Sequence, residues 1–257
     1  MAVTTVHFFS EALGFCQTCH VILPQRRDGA PDVPLKVLWL LHGSFGNHYD
    51  WMRRTSIERY AAPYGLAVVM PSAQNSKYVD MAHGGKYYTY IAEELPRKMR
   101  TFFNFSDKRE DNFIAGLSMG GAGSLTIGLS RPEQYAAVGC LSAGAEVAMY
   151  KNRANEEKVF WALDGKTLEG TRYDSFVCAR QTLEAGGPYP RIYHACGLQD
   201  HLLPAARETR DFFTAINGNP FDYTYEEDEG SHTWEYWDEH IQHFIQFLHL
   251  EKTQDFC

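Results

Sequence analysis

The chain has 257 residues, 44% hydrophobic and 14% aromatic, which is ample apolar material for one α/β domain spanning 1–257. Its net charge of −8 argues against a nucleic-acid backbone or an anionic membrane as partner. Both need clustered Lys and Arg, and the basic runs here are pairs such as Arg26-Arg27 and Arg53-Arg54. No segment approaches the ~20 apolar residues of a membrane-crossing helix. The opening MAVTTVHFFSEALGF lacks the basic start and apolar run of a signal peptide, so a cytoplasmic location is expected.

In chain order, TTVHFFS and CQTCHVILP predict an antiparallel hairpin at a sheet edge. Cys16 and Cys19 have CxxC spacing, but no second Cys/His pair completes a zinc site, and the alternation around them reads as reduced cysteines on a strand. Strands follow at LKVLWLLHG, GLAVVMPS, NFIAGLS, YAAVGCLSAG, PRIYHACG and FDYTYEE. Several are continuous apolar runs, which suits strands covered on both faces. Helices are predicted within Arg53–Tyr64, around Tyr88–Phe103, within Ser118–Leu129, near Pro204–Ile216 and over Trp234–Leu250. This alternation implies an α/β fold with a mostly parallel central sheet and helices on both faces. The stretch from about Ala145 to Pro190, after the sixth strand, breaks the rhythm and reads as an excursion at the ligand-binding end of the sheet.

Gly116-Leu117-Ser118-Met119-Gly120 fits G-x-S-x-G where strand NFIAG gives way to a helix. A sharp strand-to-helix turn needs glycines two before and two after its centre, and it lifts the central hydroxyl above the sheet. A serine hydroxyl needs a general base, and the base needs an orienting acid, here expected in the order Ser, Asp, His. His232 follows DEGS in a loop between the last strand and the last helix, so it is the expected base. Asp200 follows RIYHAC through the turn GLQD at the carboxyl end of a strand, which favours it over Asp164, Asp174, Asp222 and Asp228. His194 reads as a core histidine, and His240, His243 and His249 as surface or packing residues of the last helix. The oxyanion needs backbone donors, expected from Met119 N–H and from Ser44 N–H, with Phe45 second, in the loop HGSFG. His42 in that loop reads as a residue that shapes the turn.

At this point the residues resemble a known family. LLHGSFGNHYDWMRRTSIERYA, VVMPSAQNSKYVD, YYTYIAEELP, FIAGLSMGGAGSL, CGLQDHLL and EGSHTWEYW together are similar to the esterase D / "putative esterase" family. The likeness is greatest to bacterial tributyrin-type and acetyl esterases, related to feruloyl esterases and S-formylglutathione hydrolases. The resemblance implies an α/β-hydrolase fold and carboxylic-ester hydrolysis with neither metal nor cofactor. It also supports Ser118, Asp200 and His232 as triad, with Met119 and Ser44 at the oxyanion positions.

The expected function is that of a serine carboxylesterase acting on small-molecule esters with short acyl or small aromatic, feruloyl-type acids. Phe45, Trp234 and His201 are candidate substrate contacts, with Trp51 and Tyr78 behind them, because each flanks a catalytic loop. An S-formylglutathione hydrolase-like thioesterase is the alternative, disfavoured because those enzymes generally carry a different loop in place of HGSFGNH. A binding protein that has kept the fold without activity is the non-enzyme alternative. A homo-oligomer is a further expectation.

Overall fold

A computed structural model describes residues 1–151, 153 and 155–256. Among the described residues eight strands form one sheet: β1 (Ala2–Ser10), β2 (Phe15–Leu23), β3 (Val37–Leu41), β4 (Ala67–Pro71), β5 (Asn112–Leu117), β6 (Ala137–Leu141), β7 (Arg191–Gly197) and β8 (Thr224–Asp228). Their order is β1-β2-β4-β3-β5-β6-β7-β8. β3 to β8 run parallel, and β2 pairs antiparallel with both β1 and β4, so the expected edge hairpin is present. The apolar runs of β3, β4, β5 and β6 are buried along their whole length. Only a strand covered on both faces can carry such a run without exposing it.

Ten α-helical segments connect or cover these strands among the described residues: α1 (Asp50–Arg54), α2 (Ile57–Ala61), α3 (Tyr87–Thr89), α4 (Leu95–Phe102), α5 (Met119–Ser130), α6 (Glu146–Tyr150), α7 (Glu157–Leu163), α8 (Ser175–Ala185), α9 (Leu203–Thr214) and α10 (Trp234–Phe247). One apolar cluster packs Tyr78, Tyr90, Met99 and Leu125 on one side of the sheet. A second packs Trp51, Ile57, Trp237, Ile241 and Phe244 on the other.

Three helices differ from expectation for local reasons. The helix expected over Arg53–Tyr64 breaks in two, because the Thr55 hydroxyl accepts Ile57 N–H at 3.2 Å and Asp238 accepts Ser56 N–H at 3.1 Å. Side chains and tertiary partners there compete for the donors a helix would use. The helix around Tyr88–Phe103 contains a widened turn over Tyr90–Glu94, immediately before Pro96, which has no N–H to give the preceding turn. The last helix ends at Phe247 rather than Leu250, and His249 lies outside it in a left-handed conformation.

The excursion has two parts. α8 packs along α5, joined by Thr126 and Ser175 hydroxyls 2.8 Å apart, and so acts as an ordinary flanking helix. α6 and α7 instead cluster with Val79, Leu168, Leu202 and Ala205 above the carboxyl ends of the strands.

Candidate active site

Strands β3, β5 and β6 end level, with Leu41 opposite Gly116 and Leu117 opposite Leu141. Ser118 follows immediately, its N–H donating to Leu141 O at 2.8 Å and its backbone held at φ 51°, ψ −120°. A non-glycine residue occupies that region at a cost, which only surrounding close packing can sustain. The packing is visible at the flanking glycines. A Cβ on Gly116 would sit 2.4 Å from Gly120 O, and one on Gly120 would sit 2.5 Å from His42 O. The chain therefore turns through a space that admits only glycine on either side of the serine.

Ser118 Oγ lies 3.0 Å from His232 Nε2. His232 Nδ1 in turn lies 3.0 and 2.9 Å from the two oxygens of Asp200. The Asp200 side chain is fully buried, and its Oδ1 also accepts Leu202 N–H at 2.8 Å. Burial alone would raise this carboxyl, but the hydrogen bonds from His232 and Leu202 N–H outweigh it and hold the pKa below the ordinary carboxylate value. Trp237 meets the His232 ring edge-to-face at 5.0 Å, and His201 does so at 4.5 Å. The imidazole is thus fixed by the carboxylate and by the rings beside it.

The competing acids are engaged elsewhere. Asp164 lies 2.8 Å from His83, Asp174 caps α8, Asp222 lies 3.9 Å from Arg191, and Asp228 accepts from Tyr236. His194 is fully buried between the Tyr223 hydroxyl and Ala143 O, with its pKa pushed down to about 4 by burial. It is a core histidine, as its strand position implied. His240 is buried against Tyr193, while His243 lies 2.9 Å from Glu226.

The loop after β3 is pinned to the loop after β4. Ala73 N–H donates to His42 Nε2 at 2.8 Å, leaving His42 Nδ1–H for Gly43 O at 2.6 Å. His48 N–H donates to Ser72 Oγ, and Phe45 N–H donates to Asn75 Oδ1 at 2.7 Å. Both ring nitrogens of buried His42 are therefore occupied in shaping the turn. The Phe45 donor is spent on Asn75, whereas Ser44 N–H makes no hydrogen bond among those described. At the start of α5, Met119 N–H belongs to the helix's first turn, where donors have no partner within the helix and the dipole favours negative charge.

A cleft of about 430 Å³ opens beside Ser118. Of the candidate substrate contacts, Phe45, His201 and Trp234 line it; Trp51 and Tyr78 do not. Trp51 is buried beneath Trp234, its indole N–H donating to Leu41 O, and Tyr78 is buried with its hydroxyl on His42 O. Both are scaffold for the catalytic loops rather than wall. The sequence reading missed Lys77, Met149, Tyr150 and Trp237, which also line the cleft. Trp237 shares the EGSHTWEYW motif and falls one helical turn after Trp234, a spacing that could have indicated it. Met149 and Tyr150 arrive on α6, and no local pattern announces where an excursion docks.

The model of the "putative esterase" family matches residues 10–247. The chain belongs to that family. It is 31% identical over 264 residues to an acetyl esterase of Caldicellulosiruptor saccharolyticus, covering 96% of this chain and 98% of the relative. Two solved structures from Staphylococcus aureus, each 33% identical, cover 96% of this chain and 98% of their own. They are a substrate-bound fluorophosphonate-binding serine hydrolase F, with a TM-score of 0.88, and an S-formylglutathione hydrolase apoenzyme, with a TM-score of 0.85. The fold is that of the α/β-hydrolases, and the esterase is a carboxylic ester hydrolase of the serine type. No helix among its described residues is long and apolar enough to cross a membrane.

Proposed function

We propose that this esterase hydrolyses short-chain acyl esters through an acyl-enzyme formed on Ser118. The observation that carries the reading is the unbroken chain from Ser118 Oγ to His232 Nε2 at 3.0 Å and from His232 Nδ1 to Asp200 at 2.9 Å, at the head of the cleft. His232 takes the Ser118 proton as Oγ attacks the ester carbonyl, and Asp200 orients the imidazole and stabilises its charged form. Ser44 N–H and Met119 N–H receive the oxyanion, where a single donor contributes about 3 to 4 kcal/mol in a comparable site. His232 then protonates the leaving alcohol and activates the water that releases the acid.

The volume of the cleft and the acetyl esterase among the relatives support a short acyl group. Residues 145–190 are part of the proposal as a substrate-side insertion in a single domain, supported by Met149 and Tyr150 of α6 in the cleft wall. Cytoplasmic residence also belongs to the proposal: Cys16 is exposed and Cys19 buried on opposite faces of β2, a placement that suits reduced thiols. A homo-oligomer completes it, supported by Val3 and Phe9 exposed on the edge strand β1. A thioesterase reading stands second, favoured by the S-formylglutathione hydrolase at 33% identity.

The test is hydrolysis of p-nitrophenyl esters from acetate to octanoate, methyl ferulate and S-formylglutathione by wild type and Ser118→Ala. Short-chain turnover lost in a folded variant supports the proposal. A variant as active as wild type, or a wild type inert across the panel, refutes it.

A further inference from the structure

The cleft carries a charge that a neutral acyl group does not explain. The chain's net charge is −8, yet the described lining holds three cations, Arg54, Lys77 and Arg153, and one carboxylate, Asp50. Asp50 is committed to its own loop, accepting Asn47 N–H at 3.0 Å. Such a local reversal of sign in a cleft concentrates anionic ligands. The two arginines have surface roles as well: Arg54 lies over the Trp234 ring at 5.5 Å, and Arg153 reaches Glu156 at 2.9 Å.

Lys77 differs from them in being buried, with 3% of its surface exposed. Its Nζ lies 3.4 Å from Ser44 Oγ, 4.0 Å from Met119 Sδ and 5.2 Å from the centre of the Tyr150 ring. The neighbouring acid is Glu146 of α6, also fully buried, whose carboxyl is pushed up by burial against the pull of the Lys77 ammonium. The backbone that carries it is left-handed at two successive residues, with Lys77 at φ 57° and Tyr78 at φ 55°.

Lys77 also has a definite place relative to the reaction. The leaving alcohol takes its proton from His232, so it departs on the side of His232, Trp234 and Trp237. Lys77 instead touches Ser44 and Met119, the two residues that flank the oxyanion. An acyl chain running past Ser44 and Met119 would meet Lys77, whereas an alcohol leaving beside His232 would not.

We infer that the acyl group ends in a carboxylate held by Lys77, so that the substrate is a half-ester of a short dicarboxylic acid. This rests on the serine-esterase reading above. Ser118 Oγ bonds to the ester carbonyl carbon, the bond to the alcohol oxygen breaks, and the alcohol leaves with the proton relayed by His232. Water then cleaves the acyl-enzyme, returning a proton to Ser118. The distal carboxylate makes and breaks no bond.

The experiment compares monoethyl succinate with ethyl 4-methylpentanoate, in which an isopropyl group replaces the carboxylate, by pH-stat with the full-length wild type. The half-ester is expected to have the higher kcat/KM by about tenfold or more, the scale of one charge-assisted hydrogen bond. Added salt should narrow that ratio, and Lys77→Met should collapse it by a similar factor. Lys77→Gln repeats the comparison, and if neither variant is active the wild-type ratio and its salt dependence decide. A wild type that hydrolyses the neutral ester at least as well overturns the inference and leaves the esterase reading intact. So does a ratio unchanged in Lys77→Met, or a preference for S-formylglutathione without one for the half-ester, which would assign the cations to the leaving group. A wild type inert on every ester and thioester refutes the serine-esterase reading itself.

Discussion

Replacing Asp200 by Asn removes a charge while keeping nearly the same shape, so the effect can be worked from the local hydrogen bonds. Leu202 N–H donates to Asp200 Oδ1 at 2.8 Å, and in the variant that donor orients the amide oxygen toward itself. The amide nitrogen then takes the Oδ2 place 2.9 Å from His232 Nδ1, beside the amide oxygen at 3.0 Å. Where that donor takes Nδ1 from the neighbouring acceptor, the imidazole proton moves to Nε2, and Nε2–H cannot accept the Ser118 proton across the 3.0 Å contact. A wrong tautomer of this kind costs a Ser-His-Asp site about 10⁴ in kcat, or roughly 5 kcal/mol of transition-state stabilisation. The assay is kcat on p-nitrophenyl butyrate, with circular dichroism and a thermal melt to show that Asp200→Asn is folded. A loss below about tenfold in a folded variant would fall far short of a displaced general base and would refute the tautomer argument.

The remaining predictions concern the surroundings of the triad. Asn75→Ala removes the acceptor of Phe45 N–H, so the loop presenting Ser44 loosens; kcat should fall by about tenfold, a fraction of what a whole oxyanion donor contributes. An unchanged kcat would show that the loop is held by its other contacts. Gly120→Ala places a Cβ 2.5 Å from His42 O and 2.7 Å from Leu41 O, both rigid backbone, and should destabilise the fold by about 3 kcal/mol or more in urea melts. Wild-type stability there would mean that the elbow is looser than its geometry. His194 sits neutral in the core with a folded pKa near 4 against an ordinary 6.5. Its contribution is therefore complete above pH 6.5 and is lost as pH falls toward 4, on the order of 3 kcal/mol in all. His194→Gln should flatten the fall in stability between pH 6.5 and pH 4. An identical slope in wild type and variant would show that other groups carry the acid sensitivity.

Much of this site was legible because its chemistry imposes local patterns. G-x-S-x-G is forced by steric contacts at Gly116 and Gly120, and those contacts lie between adjacent strand ends, so the motif itself states the geometry. The Asp and His are expected from chain order and strand-end position, and folding brings both to hydrogen-bonding distance beside Ser118. His42 and His194 could be set aside because a histidine within a tight turn or an apolar strand has backbone or core partners close by. Trp51 and Tyr78 show the limit of the same reasoning. Proximity to a catalytic loop does not say which side of the loop a ring occupies, and both rings lie beneath it.

The mostly parallel sheet, its edge hairpin, the elbow and the three residues expected beside it are all legible along the chain. Each of these follows from apolar runs, glycine spacing and turn position, which are read from neighbours along the chain. What the cleft is made of emerges on folding. Met149, Tyr150 and Lys77 reach it from segments that are far from one another in sequence, and Lys77 does so through two left-handed residues that no propensity favours. Folding also decided which N–H of the loop after β3 is engaged, since Asn75, 30 residues from Phe45, takes the Phe45 N–H. Such choices depend on which distant groups compete for the same atom, and that competition exists only once the chain has folded.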